Sequence, residues 1–248
     1  NAGRGVLGWQ VVERDTARLG RSTGDRARSA DRARSASLPA PSEPRPRHLR
    51  LPKGERDPRS GRSPVRGFGG PDGFGYRWID SSDPDGPEFS WVDIASVGEP
   101  LVLEDDGHAE VELPFEFPLY GLSHSRVRIS ANGYLTFGGD PTVYGNDPIP
   151  ALSPPNGVIA PFWDDLNPEL GGTIHWDHDA ERGEFIVQYT GVSDYWGEAE
   201  RTFQVRLDAL GGIDFAYLDM GPDPVGATGI GRAAGCDGRD IVFTAQYV

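Results

Sequence analysis

Residues 201–209, Arg-Thr-Phe-Gln-Val-Arg-Leu-Asp-Ala, alternate without a break. Phe203, Val205, Leu207 and Ala209 fall on one side, and Thr202, Gln204, Arg206 and Asp208 on the other. A period of two belongs to a strand with one buried face and one wet face. Gly211-Gly212 follows, where positive φ costs little, so a tight hairpin is expected. The return strand runs from Ile213 to Leu218, with Ile213, Phe215 and Tyr217 on one face. A second hairpin is signalled by Arg126-Val127-Arg128-Ile129-Ser130, the turn Ala131-Asn132-Gly133, and Tyr134-Leu135-Thr136-Phe137.

Working outward, further strands are predicted at 76–80, 89–95, 109–113, 157–162, 172–177, 184–190, 227–232 and 240–247. From residue 67 on, no long segment keeps helical apolar spacing without Gly or Pro breaking it. About ten to twelve short strands predict an all-β fold. The expected form is a two-sheet antiparallel β-sandwich with a jelly-roll-like order, and a barrel is the second choice.

The chain of 248 residues carries 24 basic and 38 acidic side chains, a net charge of −14. That sum hides a division. Residues 1–66 hold 16 basic and 7 acidic residues, against 8 and 31 in residues 67–248. Of 25 aromatic residues only Trp9 precedes residue 67. Residues 1–66 are therefore expected to be a mostly disordered arm or linker rich in Arg, Ser and Pro, because such a segment cannot offset its ordering entropy by burial. Its one apolar patch is residues 5–12, Gly-Val-Leu-Gly-Trp-Gln-Val-Val. Residues 67–248 are expected to form one domain.

Several function classes are disfavoured. No run of 18 apolar residues exists, so membrane insertion through a helix is not expected. The first residue is Asn with no signal segment after it, which suggests a processed chain or a fragment. An acidic domain repels nucleic acid and anionic membrane. Cys236 is the only cysteine, so no intrachain disulfide and no cysteine-based metal site can form. Gly-x-Ser-x-Gly is absent, and the glycine pairs lack the strand-to-helix setting of a nucleotide loop.

Three stretches, Phe115-Glu116-Phe117-Pro118-Leu119-Tyr120-Gly121, Ile129-Ser130-Ala131-Asn132-Gly133-Tyr134-Leu135-Thr136-Phe137-Gly138 and Ile159-Ala160-Pro161-Phe162-Trp163-Asp164-Asp165-Leu166, carry a resemblance. Together with Phe74 to Ser81 and the strands around Phe203 and Phe215, they resemble β-sandwich modules of large secreted and surface proteins of bacteria and archaea. Such modules often sit beside subtilisin-like peptidases. The same stretches are similar to the nidogen-type extracellular domain. The resemblance spans about residues 70–248 and implies an extracellular, non-catalytic module whose shared residues are core and turn positions. It carries over no catalytic residue.

Several stretches could carry chemistry. Tyr144, Tyr195 and Trp196 sit in Gly-rich loops, where aromatics stack on sugars, anchor a protein partner or cover the core's ends. Asp80, Asp83, Asp85 and Glu88 make the best calcium loop, since calcium takes six to eight oxygens. Their spacing departs from the EF-hand pattern, and Glu104-Asp105-Asp106-Gly107 is a second acidic turn. A pair of solvated turns is the plainer reading of both. His175, Asp177 and Asp179 would share a strand face, as a zinc or iron site requires, but Asp179 also opens a turn. Asp164 and Asp165 are adjacent and on a strand would point to opposite faces, so they are poor partners for facing each other across a sugar as glycosidase carboxyls do. They are expected to tie down the turn after Phe162 and Trp163, which enter the core.

The sequence thus predicts a non-catalytic extracellular or cell-surface module, used for adhesion, spacing or substrate targeting. Its partner would be an extracellular protein or glycan, and the isolated domain would be a monomer. It needs no cofactor, with calcium as an optional ligand. The alternatives are a jelly-roll carbohydrate-active enzyme domain and a calcium-stabilised spacer.

Overall fold

A computed structural model describes residues 7–12, 52–55, 68–72, 74–81, 83–147, 149, 153–221 and 227–231. They contain strands and no helix. In chain order these are β1 (Leu7–Val12), β2 (Phe68–Gly69), β3 (Arg77–Asp80), β4 (Glu99–Leu101), β5 (His108–Leu119), β6 (Leu122–Ser130) and β7 (Leu135–Thr136). They continue as β8 (Val158–Trp163), β9 (Thr173–Asp179), β10 (Glu184–Ser193), β11 (Glu200–Asp208), β12 (Ile213–Asp219) and β13 (Ala227–Gly231).

The strands form two antiparallel sheets. One is eight-stranded, in the order β2-β3-β1-β12-β11-β10-β9-β4, and the other is five-stranded, in the order β13-β8-β7-β6-β5. The all-β, two-sheet expectation holds. The connections differ from a jelly roll, because β5 to β8 run as one meander and β9 to β12 as another. Pairing of consecutive strands produces that order, through short connections except for residues 137–157 between β7 and β8, whereas a jelly roll needs crossings between sheets.

Both predicted hairpins form. Ser130 N donates to Tyr134 O at 2.9 Å, and Gly133 sits at φ +77°. Asp208 N donates to Gly212 O at 3.1 Å, and Gly211 sits at φ +88°. Each is a three-residue loop closed by a left-handed glycine. The second loop includes Ala209, which is exposed rather than on the apolar face.

One core lies between the sheets. Phe117, Ile129, Leu135, Ile159 and Phe162 meet Phe185, Val187, Tyr189, Phe203, Val205 and Phe215 from the other sheet, all buried. Removing each such side chain from water stabilises the fold by roughly 1.5–3 kcal/mol. Tyr189 stacks on Phe203 at 4.5 Å. Two tyrosine hydroxyls tie the sheets together, Tyr189 to Ser130 O at 2.7 Å and Tyr217 to Pro161 O at 2.6 Å.

Two expectations are corrected on the far face of β11. Gln204 is fully buried, so that face is covered at its centre rather than wet throughout. Residues 89–95, predicted as a strand, cross over it without joining a sheet. Two glutamine side chains satisfy this segment's backbone. Val92 N donates to Gln204 Oε1 and Gln204 Nε2 to Val92 O, at 3.1 and 2.9 Å. Ile94 N donates to Gln188 Oε1 at 3.0 Å. Side-chain amides carry both a donor and an acceptor, so they replace a neighbouring strand locally.

The arm is partly described. Its apolar patch supplies β1, which pairs with β12 (Trp9 opposite Phe215) and with β3 (Trp9 opposite Asp80). Leu, Trp and Val favour a strand, and two free strand edges complete its backbone pairing. Most of the arm and the strand predicted at 240–247 lie outside the described residues.

Candidate functional site: an acidic and aromatic cage around Lys53

The three loop aromatics named from the sequence converge on one point. Tyr144 is set by its neighbour Val143, whose carbonyl accepts from Trp163 Nε1 at 2.9 Å and whose N donates to the Tyr134 hydroxyl at 2.9 Å. Trp163 and Tyr134 are themselves buried. Tyr195 and Trp196 stand in a turn closed by Gly197 N to Asp194 O at 3.1 Å, with Gly197 at φ +72°. That turn is pinned to the 164–166 loop by Tyr195 N donating to Asp165 O at 2.9 Å. The Tyr195 and Trp196 rings meet edge to face at 5.8 Å.

At the centre lies Lys53, the only lysine in the sequence. Its Nζ is 4.8 Å from the Tyr144 ring centroid and 5.0 Å from that of Tyr195, inside cation–π range. It also reaches three carboxylates: Asp105 Oδ1 at 3.0 Å, Asp106 Oδ2 at 2.7 Å and Asp165 Oδ1 at 3.0 Å. Trp196 Nε1 donates to Gly54 O at 3.4 Å.

The carboxylates are held from behind. Asp105 and Asp106 sit on the turn closed by Gly107 N to Glu104 O at 2.8 Å. Asn132, fully buried in the expected Asn-Gly hairpin, joins that turn to the 164–166 loop. Its Nδ2 donates to Asp106 Oδ1 at 2.8 Å and its Oδ1 accepts from Leu166 N at 2.9 Å. Burial pushes the Asp165 carboxyl up to about 6, with Asp106 and Asp105 adding to the rise and Lys53 opposing it. Lys53 itself titrates well above the ordinary lysine range, because its three carboxylate contacts outweigh the burial that opposes its charge. The arrangement can hold a compact cation, and at neutral pH it holds an ammonium.

The remaining candidates are placed differently. Among the described residues, Asp105, Asp106 and Asp165 are the one set of three potential metal ligands within 4.8 Å of one another. Asp80, Asp83, Asp85 and Glu88 are not brought together in that way. Asp80 is buried at the end of β3 and its carbonyl accepts from Asp83 N at 3.1 Å. Asp83 Oδ1 accepts from Asp85 N at 3.0 Å. His175, Asp177 and Asp179 alternate along β9, where the spacing of about 6.8 Å between like-facing positions separates their tips. Asp179 Oδ1 accepts from Glu181 N and Arg182 N, both at 3.0 Å, and so caps the turn. Phe162 enters the main core and Trp163 a smaller cluster on the opposite face of its sheet. Asp164 Oδ1 accepts from Asp165 N at 3.0 Å, the turn role its sequence suggests. Asp164 also lies near the buried Arg201, whose titration burial lowers and Asp164 opposes. Cys236 lies outside the described residues.

Sequence reasoning missed Lys53, which it left inside the arm, and the convergence of Asp105 and Asp106 with Asp165. The available signal was a lone lysine between Pro52 and Gly54, a turn motif in an Arg-rich stretch.

A family model described as NIDO related matches residues 87–239. The chain belongs to the NIDO-related family. The nidogen-like part of the resemblance therefore stands. No curated protein and no solved structure matches the chain. The NIDO-related match includes Asp105, Asp106, Tyr144, Asp165, Tyr195 and Trp196, and it begins after Lys53.

Proposed function

We propose that this NIDO-related chain is a non-catalytic extracellular module that serves adhesion, or the targeting of a larger secreted or surface protein, by binding a protein partner at its Lys53 end. One observation carries the reading. Loops far apart in sequence bring Tyr144, Tyr195, Asp105, Asp106 and Asp165 around a single cation, with Trp196 on the adjoining Gly54 carbonyl. Aromatic anchors beside charge, on loops held by a rigid sandwich, are the usual makings of a protein-binding surface. Its acidic character favours a basic partner and fast association at low salt.

The test is a binding screen of the full chain, wild type and Lys53→Met side by side, against extracellular matrix proteins and a glycan array. Saturable binding to a basic protein that falls on Trp196→Ala, at unchanged melting temperature, is the expected result. Binding indifferent to Trp196 would contradict the reading. A carbohydrate-active enzyme would instead turn over a glycan and lose that activity on Asp165→Asn. A calcium-stabilised spacer would melt higher in millimolar calcium than in chelator and bind nothing saturably.

A further inference from the structure

We propose that the loop end is a receptor for a lysine-glycine β-turn, and that residues 52–55 are a tethered copy filling it in cis. The inference rests on the protein-binding reading above and names the partner's chemistry.

The occupant is a defined shape. Glu55 N donates to Pro52 O at 3.0 Å, and Gly54 sits at φ +80°. Positive φ at the third position marks a type II turn. Lysine stands at the tip beside a glycine that the site demands twice. A Cβ on Gly54 would lie 3.1 Å from Tyr195 Cε1, and its φ strains any other residue. Trp196 holds the Gly54 carbonyl.

The receptor matches an ammonium in particular. An ammonium has three donors, and three carboxylates stand at hydrogen-bonding distance, one for each. The two tyrosine rings add cation–π contacts to the same ammonium. Calcium takes six to eight oxygens, and ring faces supply none. A guanidinium is planar and suits two-point pairing, so arginine fits the three-point arrangement less well.

Receptor and ligand are separable along the chain. All six receptor side chains lie inside the family match at 87–239, and the turn lies before it. The turn reaches Asp105 across 52 positions and Asp165 across 112. A short tether holds its ligand at a millimolar effective concentration, so a free turn competes poorly while Lys53 is seated. Displacing the tethered turn would open the site to a partner's lysine-glycine turn.

The test uses the full chain and a cyclic peptide that fixes Pro-Lys-Gly-Glu as a turn. Binding is followed by amide shifts of Asp105, Asp165 and Trp196. Lys53→Met empties the cage and should bind the peptide saturably, about tenfold or more tighter than wild type does. The same peptide with methionine for lysine should bind at least about tenfold more weakly. Gly54→Val, strained at φ +80° and crowding the Tyr195 ring, opens the site by a second route and guards against misfolding of the first variant. No saturable binding to either folded variant would overturn the proposal. So would equal binding of the methionine peptide, or calcium binding to Lys53→Met without peptide binding. Partner capture that depends on Trp196 while the peptide fails would sink this inference alone.

Discussion

Residues 80–88 and the Lys53 cage are both crowded with carboxylates, and they are built in opposite ways. In the first, the acids are neighbours in sequence. Their side chains and carbonyls turn back onto the local backbone, as Asp83 does to Asp85 N. In the second, Asp165 lies far along the chain from Asp105 and Asp106, yet all three meet one ammonium. Density in sequence fills turns, because short acidic side chains satisfy nearby N–H groups first. Convergence needs a rigid frame, here the Asn132-Gly133 hairpin that bridges both loops.

The largest effect should come from breaking that frame. A Cβ on Gly133 would lie on the Phe162 carbonyl oxygen, at a φ of +77°. Gly133→Ala should cost about 3 kcal/mol or more in denaturant unfolding and abolish the cage. Asn132→Ala removes two hydrogen bonds of a buried side chain and should cost about 2–3 kcal/mol. A loss under about 1 kcal/mol for either would mean the frame does not hold the site.

Emptying the cage should come next. Lys53→Met leaves three carboxylates facing one another and should cost about 1–2 kcal/mol at neutral pH, since the pair groups are partly solvated. The acid side of the pH profile follows from Asp165. Its folded carboxyl titrates near 6, above the ordinary 3.8, so between about pH 4 and 6 the folded state holds more protons than the unfolded one. Stability from this group therefore falls as pH rises through that window. Asp214, also pushed up to about 6 by burial, adds to the same slope. Asp165→Asn should flatten the slope in part, and Lys53→Met should extend the window upward because Lys53 holds the Asp165 carboxyl down.

The smallest effect belongs to the other acidic region. Asp83→Ala loses one exposed Asx-turn bond and should cost under about 1 kcal/mol with the cage intact. A larger loss, or a shifted Lys53 signal, would show that the two regions are coupled.

The strands were largely legible, because alternation at Phe203-Val205-Leu207 and the Asn132-Gly133 and Gly211-Gly212 turns report on local geometry. What covers a sheet face was not. Gln204 reads as a solvent residue, and only the fold shows it buried under Val92. The aromatics Tyr144, Tyr195 and Trp196 stood out one by one by their Gly-rich settings. Their common target did not, because Lys53 lies in a stretch whose composition says arm, and long-range convergence leaves no periodic mark. Leu7–Val12 was visible as an apolar patch, but pairing on both edges depends on strands more than 60 residues away.

Because Lys53 is the only lysine, labelling with ¹⁵N-lysine gives a single side-chain ammonium signal in the full chain. The cage predicts a visible, slowly exchanging Nζ resonance at neutral pH, with the adjacent methylene protons shifted by the Tyr144 and Tyr195 rings. It also predicts a titration above the ordinary lysine range, and loss of these signatures in Asp165→Asn. A resonance at the free-lysine position that exchanges fast, titrates near the ordinary value and ignores Asp165→Asn would contradict the account.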